Sequence, residues 1–120
     1  MVMLMKGTAL AAKIIGTVKE ETGRLAKHGI RAGLALVLTG DDKSSALYCQ
    51  ATKAAAVRAG IDIYSHTLPV SVSVNELLNL VKNLNTDERV NGILIFMPLP
   101  RHIDTRKVMN AIAPEKDVDG

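Results

Sequence analysis

The run Leu34-Ala35-Leu36-Val37-Leu38 contains no polar residue, and neither does Ile93-Leu94-Ile95-Phe96-Met97. A strand with one face in water alternates apolar and polar residues. A run without alternation marks a strand covered on both faces, as in a parallel sheet held between layers of helices. The stretches between and around these runs have to supply the covering layers.

Their spacing is helical. From Gly7 to about His28, Leu10, Ile14, Val18 and Leu25 recur at helical intervals among charged residues, which predicts an amphipathic helix. An Ala-rich helix is predicted from about Ser45 to Gly60, a fitting C′ residue, after the loop Gly40-Asp41-Asp42-Lys43-Ser44-Ser45. Ile61 to Leu68 alternates more and carries Asp62, Ser65, His66 and Thr67, so it reads as a strand nearer an edge. Ser73-Val74-Asn75-Glu76 is a capping box opening a helix that buries Leu77, Val81 and Leu84. Asn91-Gly92 leads into the second apolar run. Asp104 caps a short last helix with Val108 and Ile112, which Pro114 closes. Every strand-to-strand connection contains a helix, so neighbouring strands are expected to be parallel with right-handed crossovers. The expected architecture is a three-layer α/β/α single domain over residues 1–120, with a mainly parallel sheet.

Composition excludes several classes. The 120 residues are 48% hydrophobic and 22% charged, enough for a core of their own. Net charge is +3, but the basic residues are scattered and Tyr48, Tyr64 and Phe96 are the only aromatics. A nucleic-acid surface needs a denser basic stripe with stacking side chains, so no nucleic-acid partner is expected. No segment approaches the ~20 apolar residues of a membrane span. Met1 to Met5 is apolar but is broken by Lys6 and too short for a signal peptide. The lone Cys49 allows no intrachain disulfide and reads as a buried, inert thiol; a cytoplasmic location is expected.

The candidate sites are few. Gly40-Asp41-Asp42-Lys43-Ser44 sits between strand and helix, but it has one glycine and two carboxylates where a phosphate loop needs glycines and an anion. No G-x-G-x-x-G occurs, so no dinucleotide fingerprint is present. His28, His66 and His102 form no spaced ligand pair, and no metal is expected. Pro98-Leu99-Pro100 places a rigid corner where a strand ends, and ligands of α/β sheets bind beyond the carboxyl ends of strands. Tyr48 and Thr52, four residues apart, share a helix face. Tyr48 either caps the core with its hydroxyl in water or stacks on a planar ligand beside Phe96 and Pro98 to Pro100. Asp117 and Asp119 flank Val118; they are a polar linker, or one holds an amino-bearing ring.

Taken in order, Gly7-Thr8-Ala9-Leu10-Ala11-Ala12-Lys13-Ile14, Gly33 to Gly40, Ser45-Ala46-Leu47-Tyr48, Asn91-Gly92-Ile93-Leu94-Ile95, Pro98-Leu99-Pro100 and Pro114-Glu115-Lys116-Asp117-Val118-Asp119-Gly120 resemble a known pattern. It is that of the N-terminal catalytic domain of the methylenetetrahydrofolate dehydrogenase/methenyltetrahydrofolate cyclohydrolase family, of which this would be a diverged member. The resemblance implies that Tyr48 stacks on the folate ring system, that Asp119 holds the pterin edge and that Pro98, Leu99 and Pro100 shape the wall. It implies a following Rossmann domain carrying NADP or NAD, with neither bound by these residues. A homodimer stays open. The family reaction oxidises 5,10-methylenetetrahydrofolate and then hydrolyses the methenyl product.

Two positions depart from the pattern. The family's catalytic lysine falls at Thr52 and its glutamine at Phe96. Lys53 is adjacent, but one helix step turns a side chain by about 100°, away from the cleft. Neither threonine nor phenylalanine handles protons near neutral pH, so the cyclohydrolase step is expected to be lost or very slow. Two other readings stand beside this one: a non-catalytic folate or pteridine binder, and a cleft reassigned to another planar ligand, for which Phe96 would add stacking surface.

Overall fold

The computed structural model describes residues 2–118. Helix α1 (Val2–Glu21) is followed by the short α2 (Gly23–Lys27), then β1 (Gly33–Thr39), α3 (Lys43–Ala59), β2 (Asp62–Leu68), α4 (Val74–Thr86), β3 (Gly92–Ile95) and α5 (Thr105–Ala111), with a 3-10 turn at Pro114–Lys116. The three strands form a parallel sheet in the order β2-β1-β3. Gly33 to Thr39 pair with Asp62 to Leu68, and Leu34 to Val37 with Gly92 to Ile95. The expected α/β layering is therefore present.

Successive strand residues point to opposite faces, and the core divides accordingly. Leu34, Leu36, Leu94 and Phe96 pack with Ile14, Ile15 and Val18 of α1 and Cys49, Ala55 and Ala56 of α3. Ala35, Val37, Ile93 and Ile95 pack with Leu77, Val81 and Leu84 of α4 and Val108 and Ile112 beside it. The step from β1 to β2 runs one way along the sheet, and the step from β2 to β3 runs the other. Crossovers of one hand therefore set α3 and α4 on opposite faces.

Local signals set the helix ends. Ser73 and Glu76 exchange the two bonds of the capping box, at 3.1 and 3.4 Å. Asp104 accepts from the N–H groups of Arg106 and Lys107, and Gly60 closes α3 at φ 76°.

The first helix departs from its expected form. It breaks at Thr22, whose hydroxyl and N–H both donate to the Val18 carbonyl, at 2.6 and 3.0 Å, and α2 starts afresh at Gly23. Such back-bonding adds a second donor to a carbonyl that keeps its ladder bond, and it often bends a helix. Leu10 is 43% exposed, and Ala11, Ile14, Ile15 and Val18 form the buried stripe. The apolar set is shifted by one residue at its N-terminal end because α1 packs against α3 as well as the sheet.

Candidate functional site

Strands β1 and β3 lie side by side, yet β1 leads to α3 on one face and β3 to α5 on the other. A crevice opens at the carboxyl ends of neighbouring strands whose connections part in this way. Here it lies between the turn after β1 and the corner after β3.

The turn after β1 is shaped by Gly40, which has φ 73° and donates its N–H to the Leu68 carbonyl at 2.9 Å. It delivers Asp42 to the N-cap of α3, where the carboxylate accepts the Ser45 N–H at 2.8 Å. The N–H and then the hydroxyl of Ser45 hold the Asp42 carboxyl below the usual carboxylate range. An ionised carboxylate therefore occupies the positive end of α3, where a phosphate loop would hold an anion. An aspartate three residues before a serine at a helix start is an N-cap signal that the loop reading of Gly40 to Ser45 missed.

Ser45 also ties the two sides of the crevice together. Its hydroxyl, in a side chain only 5% exposed, lies 2.9 Å from Asp42 Oδ2 and 2.5 Å from the Met97 carbonyl. Its single proton serves one acceptor at a time. Met97 joins Pro98 through a cis peptide bond. Beyond it, Pro98 to Pro100, with Thr39, Asp41 and Val70 opposite, line a hollow of about 550 Å³.

Tyr48, one turn beyond Ser45, is half-buried. Its ring meets that of Phe96 edge to face, with centroids 5.1 Å apart and planes at 89°. Phe96 continues the β3 pairing, its N–H donating to the Val37 carbonyl at 2.9 Å, and it is only 2% exposed. The expectation that Phe96 offers stacking surface to a ligand is thus overturned. Alternation with Leu94 turns its ring into the α1–α3 core, where Tyr48 covers it. Thr52 is wholly buried, and its hydroxyl donates to the Tyr48 carbonyl at 2.9 Å. Lys53 is half-buried, and its charge acts on Cys49, one turn back. Burial nevertheless raises the Cys49 thiol above its usual range, as expected of an inert buried cysteine.

Tyr48, Thr52 and Phe96 come together on the α1–α3 side and are not among the walls of the 550 Å³ hollow. Pro98, Leu99 and Pro100 are; Leu99 roots the corner in the α4–α5 core. Asp119 lies outside the described residues. The chain leading to it is ordered by a parallel bridge between Asp117 and Ile93, and Val118 packs against the same cluster as Tyr48. His102, read as solvent-facing, is exposed but places Nε2 2.7 Å from the Val72 carbonyl. Among the described residues, no helix is long and apolar enough to cross a membrane.

Residues 5–119 match the model of the tetrahydrofolate dehydrogenase/cyclohydrolase catalytic domain. The chain is 45% identical over its whole length to the bifunctional protein FolD of Geotalea uraniireducens and 46% identical over 98% of its length to that of Moorella thermoacetica. It spans less than half of either relative, 43% and 42%. The crystal structure of the bifunctional FolD enzyme, a methylenetetrahydrofolate dehydrogenase/cyclohydrolase, from Campylobacter jejuni superposes with a TM-score of 0.79 at 39% identity, covering 94% of this chain and 40% of that one. The Trypanosoma brucei enzyme, solved with NADP and an inhibitor, gives 0.77 at 34% identity, covering 92% and 38%.

Proposed function

The chain belongs to the tetrahydrofolate dehydrogenase/cyclohydrolase family, over its catalytic domain, and from that premise we propose that it forms the folate-binding half of an enzyme acting on 5,10-methylenetetrahydrofolate. The observation that carries this reading is the bond from Ser45 to the Met97 carbonyl. It fixes the helix bearing Tyr48 against the corner Pro98 to Pro100 at the strand-end crevice. A planar ring system laid across that crevice would meet the phenol of Tyr48 on one side and the proline corner on the other. Asp119 would hold its amino-bearing edge through paired hydrogen bonds.

Cofactor chemistry belongs elsewhere in a protein of the relatives' length. The described residues do not fit a nicotinamide dinucleotide. No glycine fingerprint follows β1, and the Asp42 carboxylate already caps α3, the helix that starts from the turn after β1. What these residues supply to hydride removal is a held, oriented substrate, and orientation is a large part of such a reaction.

In this reading the hydrolytic step is absent. Opening a methenyl ring needs a group to take a proton from water and return one to nitrogen. Thr52 is sealed in the core with its proton committed to a carbonyl, and Phe96 is hydrocarbon. Asp42, held ionised, is a weak base. The same facts support the second reading, a folate or pteridine binder without catalysis.

Calorimetric titration with tetrahydrofolate tests the shared core of both readings. The expected result is saturable heat that Tyr48→Ala diminishes. No heat and no amide shifts at saturating ligand would remove both. Oxidation of methylenetetrahydrofolate by a protein of the relatives' length, with nicotinamide cofactor present, separates enzyme from binder.

A further inference from the structure

We infer that Asn85 and Lys116 are positioning residues for the folate site, clamping to the end of α4 the strap of chain that carries Asp117 and Val118 along the edge of β3; this rests on the folate reading above. The strap changes sides of the sheet. Ile112, at its start, belongs to the α4–α5 core, whereas Val118 packs on the α1–α3 core with Tyr48. Between them the chain passes the edge of β3, where Asp117 bridges to Ile93.

Four side-chain bonds set the register of that crossing. The Asn85 amide donates through Nδ2 to the Ala111 carbonyl and accepts through Oδ1 from the Ala113 N–H, both at 2.8 Å. The Lys116 ammonium donates to the carbonyls of Leu84 and Asp87, at 3.0 and 2.9 Å. The last turn of α4 has no basic residue of its own. Lys116 therefore brings, from a distant point in the sequence, the cation that carbonyls at a helix end favour. Close packing then takes over. A Cβ on Gly92 would lie 2.6 Å from Val118 Cγ1, so Val118 fits only over a bare glycine.

The cores on both faces of the sheet are built without these polar bonds, so their loss should free the strap and leave the domain folded. Lys116→Met keeps the aliphatic stem and removes the donors; Asn85→Ala removes the other two bonds; Lys116→Arg keeps charge and donors. Two readouts are taken on the whole chain: tetrahydrofolate affinity by calorimetry, and amide exchange at Asp117 and Val118 against Leu36 of β1. Lys116→Met and Asn85→Ala should each weaken binding roughly ten-fold, the scale of one net hydrogen bond. Exchange at 117 and 118 should quicken by a similar factor with Leu36 unchanged, and Lys116→Arg should restore most of both. Unchanged affinity in both variants overturns the inference, as does a loss that tracks faster exchange at Leu36, which would mark a merely structural role. If the unaltered chain binds no tetrahydrofolate, the folate reading falls and the assignment to that site falls with it. Faster exchange at 117 and 118 would then still uphold the clamp, and unchanged exchange would remove the clamp too.

Discussion

The edge of one ring meets the face of the other where Tyr48 crosses Phe96, and the contact closes the α1–α3 core at the end that faces the crevice. Such a pair adds about 0.5–1.5 kcal/mol beyond the area it buries. Phe96→Ala removes both the pair and a filled volume, and is expected to cost about 3–5 kcal/mol in urea unfolding. Phe96→Leu keeps most of the volume and should cost much less. Equal costs would mean that the filled volume contributes little and that the ring contact carries the loss.

Introducing the lysine and glutamine that the resemblance implies at Thr52 and Phe96 should be costly one residue at a time. Thr52→Lys places an ammonium at a wholly buried position and should lose about 3 kcal/mol or more. Phe96→Gln buries an amide beside Tyr48. Combined in a protein of the relatives' length, the two should raise methenyltetrahydrofolate hydrolysis above the rate in buffer, which the unaltered protein is expected to match. Hydrolysis accelerated by the unaltered protein and abolished by Thr52→Ala would overturn the assignment.

Thr39 is 4% exposed, and its hydroxyl makes no hydrogen bond. A buried hydroxyl without a partner loses its hydration and gains nothing in return. Thr39→Val, nearly the same shape, should therefore raise stability by about 1 kcal/mol, measured as a higher urea midpoint with an unchanged slope.

Gly33 leaves no room for a side chain. An added Cβ would stand 1.9 Å from the Arg89 carbonyl oxygen, a backbone atom that cannot step aside, while the Gly33 N–H donates to Asn91 Oδ1 at 2.8 Å. Gly33→Ala should cost about 3 kcal/mol by forcing the α4–β3 loop off the start of β1. Gly16→Ala, with nothing within 4 Å of the added carbon, should be neutral or slightly stabilising.

Acid should weaken the fold through two surface carboxyls. The Arg89 side chain, and then its N–H, hold Asp87 down to about 2 from the ordinary 3.8, and Ser45 lowers Asp42. A carboxyl that titrates lower folded than unfolded contributes stability that is complete above its unfolded value and is lost as pH falls through its folded one. Unfolding midpoints should thus decline from about pH 4 toward about pH 2. Asp87→Asn should flatten that decline, and salt should shrink the share owed to Arg89.

Much of this was readable along the chain because the signals are local. The unbroken runs at Leu34 and Ile93 gave buried parallel strands, and Ser73 with Glu76 gave a helix start. Asp42 was passed over because an N-cap aspartate has the composition of a loop. The break at Thr22 was missed because Leu25 keeps helical spacing across it.

The residues alone determined the layered parallel fold and the family. Each depends on identities at fixed intervals in sequence, which a single chain displays in full. Where the Phe96 ring and the Thr52 hydroxyl face was decided only by packing. Whether a ring faces ligand or core depends on which neighbours cover it, and those come from β1, α1 and α3. The hold of Lys116 on α4 is of the same kind: a lysine's reach says nothing until folding decides which carbonyls lie within it.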